Sequence, residues 1–432
     1  MNAAPTKPRP RSGEDIHGEL APPISWKAPI AFAVLAITAL FGFALFTPGS
    51  LSTKFIVSTS TDFFEIAPFT VPSRTTASVA AVILVALAAH SWQRTSRRAK
   101  TGAWLPVVFG LGWIFAFLVW VLAGNDLSVP LTGLLGGALF LSVPLVFGSM
   151  AGLVCERVGV INVAIEGQLL AGAFLAAVVA TLAGNAYAGM LAAPLAGALI
   201  GALLALFAVR YWVDQIIVGV VLNVLVTGVT SYLFSTVLTQ KASTWNSPPP
   251  LPVLAVPGLS QIPVIGPVLF RQTALVYLMY ALVAVLQVML FKSRWGLRMR
   301  ACGEHPKAAD TVGIKVNRTR VRNTILGGAI AGLGGAFFTV ALGLAFGKDM
   351  SAGRGFIALA AMILGRWNPK GALAAALLFG FADQLQVVLS PAGTVIPSQI
   401  LLMTPYLVTV LAVAGLVGRV TAPAAEGKPY KG

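Results

Sequence analysis

The chain contains many apolar runs of about 20 residues, and these runs constrain its fold more than any other feature. A run of that length can cross about 30 Å of hydrocarbon as an α-helix. Hydrophobic residues make up 57% of the 432 positions and charged residues only 10%. Soluble domains are roughly half apolar and a quarter charged. We therefore predict an all-α protein, a polytopic integral membrane helix bundle.

The apolar runs predict about 10–12 transmembrane helices. They lie at 30–47, 76–90, 103–123, 131–153, 163–183, 188–209, 215–238, 274–291, 323–345, 371–389 and 400–418, with a shorter run at 355–365. The short run is too brief to cross comfortably, so we expect a broken or re-entrant helix packed within protein. Residues 1–27 are rich in proline and mixed in charge, which predicts a disordered tail and no cleavable signal peptide.

Basic residues concentrate in a few loops, and their positions predict the orientation of the chain. One loop holds Arg94, Arg97, Arg98 and Lys100, and the stretch 292–322 is the most basic of all. Placing the N-terminal tail in the cytoplasm puts every basic cluster inside and returns residues 421–432 to the inside as a second tail. Orientation and anionic lipid then explain the net charge of +16, so we expect no nucleic-acid partner.

The sequence offers no motif for catalysis or for a resident metal. Cys155 and Cys302 are the only cysteines, and neither they nor the scattered histidines have the spacing of a metal site. The chain lacks the G-x-x-x-x-G-K-[ST] phosphate loop. The run GLGGAF at 332–337 is instead typical of small-residue helix packing in membranes. We expect no cofactor on this chain and no enzymatic activity.

One polar stretch, GEHPKAADTVGIKV at 303–316, interrupts the apolar sequence. Pro306 suits the first position of a helix and Gly313 the residue just past its end, which predicts a short helix over Lys307–Val312. A helix that short is marginal by itself because nucleation is costly, so packing should support it. An ordinary solvated loop is the alternative.

Several long stretches, in order along the chain, resemble one family. They are ERVGVINVAIEGQLLAGAF at 156–174, DQIIVGVVLNVL at 214–225, the segment that begins GEHPKAADTVGIKV and runs through GLGGAF, and GRGFIALAAMILGRWNPKGALAAALLFG at 353–380. The chain resembles the permease subunits of ABC importers in the branch that carries simple sugars, ribose and nucleosides. It is most similar to the nucleoside-type permeases. The resemblance covers residues 130–420.

The resemblance implies an architecture and a set of partners. Residues 130–420 would form a type II ABC importer-like transmembrane domain, and 28–129 would add extra N-terminal transmembrane helices. The permease would move a nucleoside or simple sugar inward by alternating access, in the bacterial plasma (inner) membrane. Its implied partners are ABC ATPase subunits that bind ATP and Mg²⁺, a second permease in a homo- or heterodimer, and an extracytoplasmic substrate-binding protein.

The resemblance also implies which residues meet the ATPase. The polar stretch corresponds to the cytoplasmic coupling segment, a short helix that inserts into a groove on the ATPase. The predicted coupling residues are Gly303, Glu304, His305, Pro306, Lys307, Ala308, Ala309, Asp310 and Gly313. Polar members would supply contacts, the alanines would permit close approach, and Gly313 would let the chain turn.

Four residues are candidates for the translocation pathway: Asn162, Glu166, Asn223 and Phe356. Glu166 either lines the pathway or holds a helix break by accepting backbone N–H bonds. Its structural alternative is pairing with Arg157 or with a helix N-terminus. The two asparagines either bind solute or join helices by hydrogen bonds. Asp214 is predicted to cap a helix, and Trp367 to anchor the chain at the membrane interface.

Two other functions are weighed against the permease. An ion-coupled secondary transporter would show several intramembrane charges, which are scarce here. A membrane-embedded lipid-linked sugar transferase would show acidic or histidine clusters at the interface for metal or general-base chemistry. The sequence favours neither of them.

Overall fold

The computed structural model describes residues 26–58, 63, 66–99, 101–102, 104–124, 130–390, 399–400, 403 and 421–431. Nearly all of the predicted tail at 1–27 and of the predicted span at 400–418 lies outside these residues. The chain divides into two compact units. The first comprises residues 1–47 and 75–118, and the second comprises residues 48–74 and 119–432.

Three helices build the first unit, and aromatic side chains hold them together. They are α1 (Lys27–Ile37), which continues through a π-helical turn at Thr38–Ala44, and most of α2 (Ser73–Ser96) and α3 (Trp104–Val121). Phe32 packs on Phe109 with ring centroids 4.6 Å apart. The Trp113 indole donates a hydrogen bond to the Leu35 carbonyl at 3.1 Å. Indole rings of this kind combine apolar packing with one satisfied polar group.

Helices also make up most of the second unit. In chain order they are α4 (Leu131–Glu156), α5 (Ile165–Ala183), α6 (Ala186–Ala205), α7 (Gln215–Leu233), α8 (Ala242–Trp245), α9 (Ile265–Leu269), α10 (Ala274–Lys292), α11 (Arg294–Glu304), α12 (Pro306–Thr311), α13 (Val316–Ala336), α14 (Arg354–Leu364) and α15 (Pro369–Leu389). Helices α6, α7 and α13 each continue into a π-helical turn.

The only sheets among the described residues are two short antiparallel ribbons. Strand β1 (Ser52–Phe55) pairs with β2 (Phe69–Pro72), with Ser52 opposite Pro72. Strand β3 (Val253–Ala255) pairs with β4 (Arg271–Thr273), with Val253 opposite Thr273. In the part of the chain that the structure describes, ten helices are long and apolar enough to span a membrane. The prediction of an all-α polytopic bundle with about 10–12 spans is confirmed.

Glycines let α13 approach its neighbours closely at the centre of the second unit. A Cβ placed on Gly332 would meet the backbone of Ala193 and Gly197 in α6. A Cβ placed on Gly335 would meet the backbone of α5 at Leu169. Without side chains between them, the helices make extensive backbone contact, which is a main source of attraction between helices in lipid. The predicted packing role of the GLGGAF run is confirmed.

The short helix α14 is packed within protein, as its length predicts. Its 11 residues span about 16 Å at 1.5 Å per residue, which is about half the hydrocarbon thickness. It runs beside α4, with Ala358 close against Gly148 and Met362 close against Gly152. At its start, the Arg354 guanidinium lies 3.9 Å from the Asp383 carboxylate of α15. Both ends of α14 therefore lie against other helices of the second unit.

Candidate functional site

The polar stretch forms a helical elbow between α10 and α13. The Ser293 hydroxyl accepts the Gly296 N–H at 3.2 Å and so caps the start of α11. Helix α12 begins at Pro306, directly after His305, and ends at Thr311. Gly313 then turns the chain with φ +83°, a value that glycine adopts without a steric penalty. The structure thus confirms the predicted short helix, displaced by one residue towards the N-terminus.

One face of α12 is buried and the other is open. Ala309 is only 3% exposed and belongs to a small apolar cluster with Val158, Val160, Val209, Cys302 and Val316. Lys307, Ala308 and Asp310 are exposed. Val312, just after the helix, is 75% exposed. Packing under Ala309 supplies the support that so short a helix needs, and the open face is free for contact with another molecule.

The residues just before α12 make internal contacts instead. Gly303 is buried, and its carbonyl accepts the Ala425 N–H at 2.8 Å. A Cβ on Gly303 would meet the Arg157 carbonyl. Glu304 is exposed, and its Oε2 accepts the Ala424 N–H at 3.2 Å. Of the predicted coupling residues, Gly303, Glu304 and Ala309 therefore hold the elbow in place, while Lys307, Ala308 and Asp310 lie on its surface.

A second polar cluster lies where the chain breaks between α4 and α5. Glu166 is 6% exposed and stands in the first turn of α5. Its Oε1 accepts the Ser351 hydroxyl at 2.6 Å and the Gly353 N–H at 2.8 Å. Its Oε2 accepts the Gly355 N–H at 2.6 Å. These backbone donors belong to the N-terminus of α14, where a negative charge is favourable. Glu166 thus joins α5 to α14.

Asn162 and Asn223 are also engaged within the protein. The Asn223 Oδ1 accepts the Gly167 N–H at 2.8 Å, and its Nδ2 donates to the Val163 carbonyl at 2.9 Å. Asn162, fully buried, exchanges two hydrogen bonds with the Gln168 amide, at 3.0 and 3.2 Å. The three predicted pathway residues Asn162, Glu166 and Asn223 are brought together, since each one binds the break or the start of α5. Phe356 lies next to Gly355 on α14 and is 48% exposed.

Trp367 corrects one prediction. It is 6% exposed, and its indole donates to the Glu156 carboxylate at 2.6 Å. The Arg157 guanidinium donates to the Trp367 carbonyl through two nitrogens, at 3.0 and 2.7 Å. Trp367 is therefore held inside the protein and does not anchor the chain at the lipid interface. The ring is buried because the tight turn after α14 directs it towards the end of α4.

The sequence analysis did not predict the hydrogen-bond partners of Glu166, Asn162 and Trp367. Glu156, Ser351 and Gln168 are buried polar residues in stretches that read as spans or their edges. A signal was present for one of them, because Glu156 and Arg157 form a charged pair of neighbours within an apolar region. The predicted Asp214 cap is confirmed, since its Oδ1 accepts the Ile216 and Ile217 N–H groups at 2.9 and 3.1 Å. Among the described residues, no cluster of His, Cys, Asp or Glu could hold a metal ion.

Comparison with known proteins points to transport. Residues 134–418 match the family model described as the branched-chain amino acid transport system / permease component. The chain is 37% identical over 314 residues to the guanosine ABC transporter permease protein NupQ of Bacillus subtilis, covering 71% of this chain and 98% of the relative. It is 39% identical over 309 residues to the nucleoside ABC transporter permease protein NupC of Lactococcus lactis, covering 68% and 94%.

A third relative is named for a different solute. TsgC13 of Haloferax volcanii, provisionally named a glucose ABC transporter permease protein, is 32% identical over 296 residues, covering 64% of this chain and 89% of the relative. No solved structure matches the chain at a significant level.

Proposed function

The chain belongs to the branched-chain amino acid transport system / permease component family, and from this premise we propose that it carries a nucleoside into the cell. It is a multi-pass membrane protein and a permease subunit of an ABC importer, and it is not the catalytic subunit of that importer. We also propose its solute, its orientation, its coupling residues and its individual partners.

Relatives named for guanosine and nucleosides support the choice of solute, since two of them share 37% and 39% identity with nearly their whole length covered. A simple sugar is the second candidate, favoured by the 32% identity to TsgC13. Because a sugar ring is part of every nucleoside, a site built for ribose hydroxyls suits either class. Competition between the two classes for uptake distinguishes them.

The observation that carries the coupling proposal is the elbow of α11 and α12. A six-residue helix with one buried face and one open face joins two spans, α10 and α13. We assign its open face to the groove of an ABC ATPase, with Lys307, Ala308 and Asp310 at the contact. ATP and Mg²⁺ bind to that ATPase, and its closure moves α12 together with the attached spans.

The remaining partners and the orientation form part of the same proposal. The elbow faces the cytoplasm of a bacterial cell, together with both chain termini, because the basic loops lie on that side. A second permease, of the same or of a related sequence, completes the transmembrane pair. A substrate-binding protein delivers the solute to the opposite face.

We assign Asn162, Glu166 and Asn223 to positioning the break between α4 and α5. Their polar atoms are occupied by protein groups, so solute would have to displace those bonds. Phe356 is exposed beside Gly355 and is the pathway candidate whose ring is open to solute, through stacking on a base or sugar face. Movement of α14 would carry Phe356 with it.

Replacement of Ala308 by Trp tests the coupling site. Ala308 is exposed, so the permease should fold normally, but the indole should block entry of α12 into a fitted groove. Ala242→Trp is the matched control, because Ala242 is also an exposed alanine on a short helix, α8, which lies well before the elbow in the chain. Permease, ATPase and binding protein are reconstituted in vesicles, and ATP-dependent uptake of labelled guanosine is measured with ribose and glucose as competitors.

We expect Ala308→Trp to lose ATPase association and to lower uptake at least about tenfold. Ala242→Trp, on the side of the binding protein, should keep ATPase association. Normal uptake by Ala308→Trp would contradict the coupling assignment. If unlabelled glucose or ribose competed for uptake and unlabelled nucleosides did not, the transported solute would be a sugar and not a nucleoside. Uptake that persists in vesicles without any ATPase would favour an ion-coupled carrier.

A further inference from the structure

The segment Pro423–Lys431, here called the strap, lies outside the predicted permease domain and yet packs directly on the elbow. The Ala425 N–H donates to the Gly303 carbonyl at 2.8 Å, and the Ala424 N–H donates to the Glu304 carboxylate at 3.2 Å. These two bonds join the strap to the last turn of α11. Pro423 and Ala425 are buried in the process.

A buried arginine fastens the strap to the rest of the protein. Arg320 of α13 is 1% exposed, and its Nε donates to the Val158 carbonyl at 3.2 Å. Its Nη1 donates to the Lys428 carbonyl at 2.7 Å, and its Nη2 donates to the Ala425 carbonyl at 3.5 Å. A buried guanidinium is costly unless its donors are satisfied. Two of these three acceptors belong to the strap, so its departure would leave Arg320 without them.

The strap also reaches the break between α4 and α5. The Glu426 carboxyl lies beside the carboxyl of Glu156, the last residue of α4, and burial raises the pKa of Glu426. Gly427 has φ +71°, and a Cβ there would lie 3.0 Å from the Ile161 side chain. The strap therefore touches the end of α4 and the chain that follows it.

Finally, the strap contacts α12 itself. The Tyr430 ring packs against the apolar cluster that contains Ala309 and Val316. Its hydroxyl lies near the Asp310 carboxylate, and burial together with that carboxylate raises the pKa of Tyr430. Lys431 places its Nζ 5.2 Å from the centre of the Trp212 ring, within the range of a cation–π contact. One short segment thus connects α11, α12, α13 and the chain around the break.

We propose that the strap is a mechanical part of the coupling site: it locks α12 to the α4–α5 break, so that displacement by the ATPase reaches Glu166 and α14. This inference rests on the proposed function. Helix α12 has a single-residue link to α11 and a short link to α13. Such links alone would let it tilt, and the strap adds hydrogen bonds on both sides of it. Arg320 is the positioning residue that holds the strap in place.

Two strap variants test this assignment. The first replaces residues 423–431 with a Gly/Ser sequence of equal length, and the second is Gly427→Val, which strains the backbone and collides with Ile161. Lys428→Ala is the matched control in the same segment, because it removes only an exposed side chain that donates to the Ala424 carbonyl within the strap, and the carbonyl that Arg320 binds remains. Each permease is reconstituted with the ATPase and the binding protein, and three quantities are measured: ATPase association, ATP hydrolysis stimulated by loaded binding protein, and guanosine uptake.

We expect both strap variants to keep ATPase association and basal hydrolysis but to lose about tenfold or more in stimulated hydrolysis and uptake, with Lys428→Ala unchanged. Unchanged uptake would overturn the proposal. Increased uptake would overturn it as well, because the strap would then inhibit transport. Loss of ATPase association together with uptake would also overturn it, because the strap would then be a docking determinant. Failure of the proposed function itself is distinguished by Ala308→Trp, which would then transport normally with the strap intact.

Discussion

Glu166 and Asp214 are two carboxylates that accept backbone N–H groups at helix N-termini, but their surroundings differ. Asp214 caps its own helix, α7, and is exposed. Glu166 is buried and caps α14. The first residue of that helix, Arg354, lies 188 positions later in the sequence. Solvent can replace the partners of Asp214 if they are lost. It cannot reach those of Glu166, so unsatisfied groups there carry their full desolvation cost.

We expect Glu166→Gln to lower the free energy of unfolding by about 1–3 kcal/mol, because an amide cannot accept on both sides and its NH₂ group would face a backbone N–H. Asp214→Asn should change it by less than about 0.5 kcal/mol, since asparagine caps helices as well as aspartate does. Thermal unfolding of the detergent-solubilised permease measures both. Equal shifts for the two variants would show that burial does not set the role of Glu166.

Between helices, close packing depends on whether a glycine faces a neighbouring backbone. Gly332 faces the backbone of α6, whereas Gly228 on α7 has nothing within 4 Å of its position for a Cβ. Both are helical glycines in apolar sequence, and only the packing separates them.

Gly332→Ala should destabilise the protein by about 1–3 kcal/mol, because the new methyl group must push α6 and α13 apart. Gly228→Ala should be neutral or stabilise the helix by up to about 1 kcal/mol. Thermal unfolding and the fraction of monodisperse protein after solubilisation report the difference. A stable Gly332→Ala variant would mean that α6 and α13 are less closely packed than their backbones indicate.

The proposed orientation of the whole molecule can be tested at the elbow and at α8, which the proposed topology places on opposite sides of the membrane. Both native cysteines are buried, so an introduced cysteine is the reactive one. Ala308→Cys should react with a membrane-impermeant maleimide only after the cells are permeabilised, and Ala242→Cys should react in intact cells. Mass shift or fluorescence of the purified protein measures the labelling. The reverse pattern would invert the topology, and with it the side on which an ATPase could bind.

Much of the architecture was predictable because it depends on local pattern. Apolar length identifies spans, and the ends of the described helices lie within seven residues of the predicted runs. Pro306 and Gly313 predicted the bounds of α12 because proline and glycine constrain the backbone at their own positions. The prediction for Trp367 was wrong because its position depends on long-range packing. The turn that holds its ring packs against α4, more than 200 residues earlier in the chain.

The sequence by itself determined the class, the spans, the short polar helix and the resemblance to ABC permeases, because these follow from composition, periodicity and motifs along the chain. Only the tertiary structure decided what the buried polar groups do. Glu166 caps a distant helix, Arg320 binds carbonyls of the strap, and the Trp367 indole donates to the Glu156 carboxylate. Hydrogen-bond partners far apart in sequence are selected by packing, and in a poorly hydrated interior each of those groups requires one.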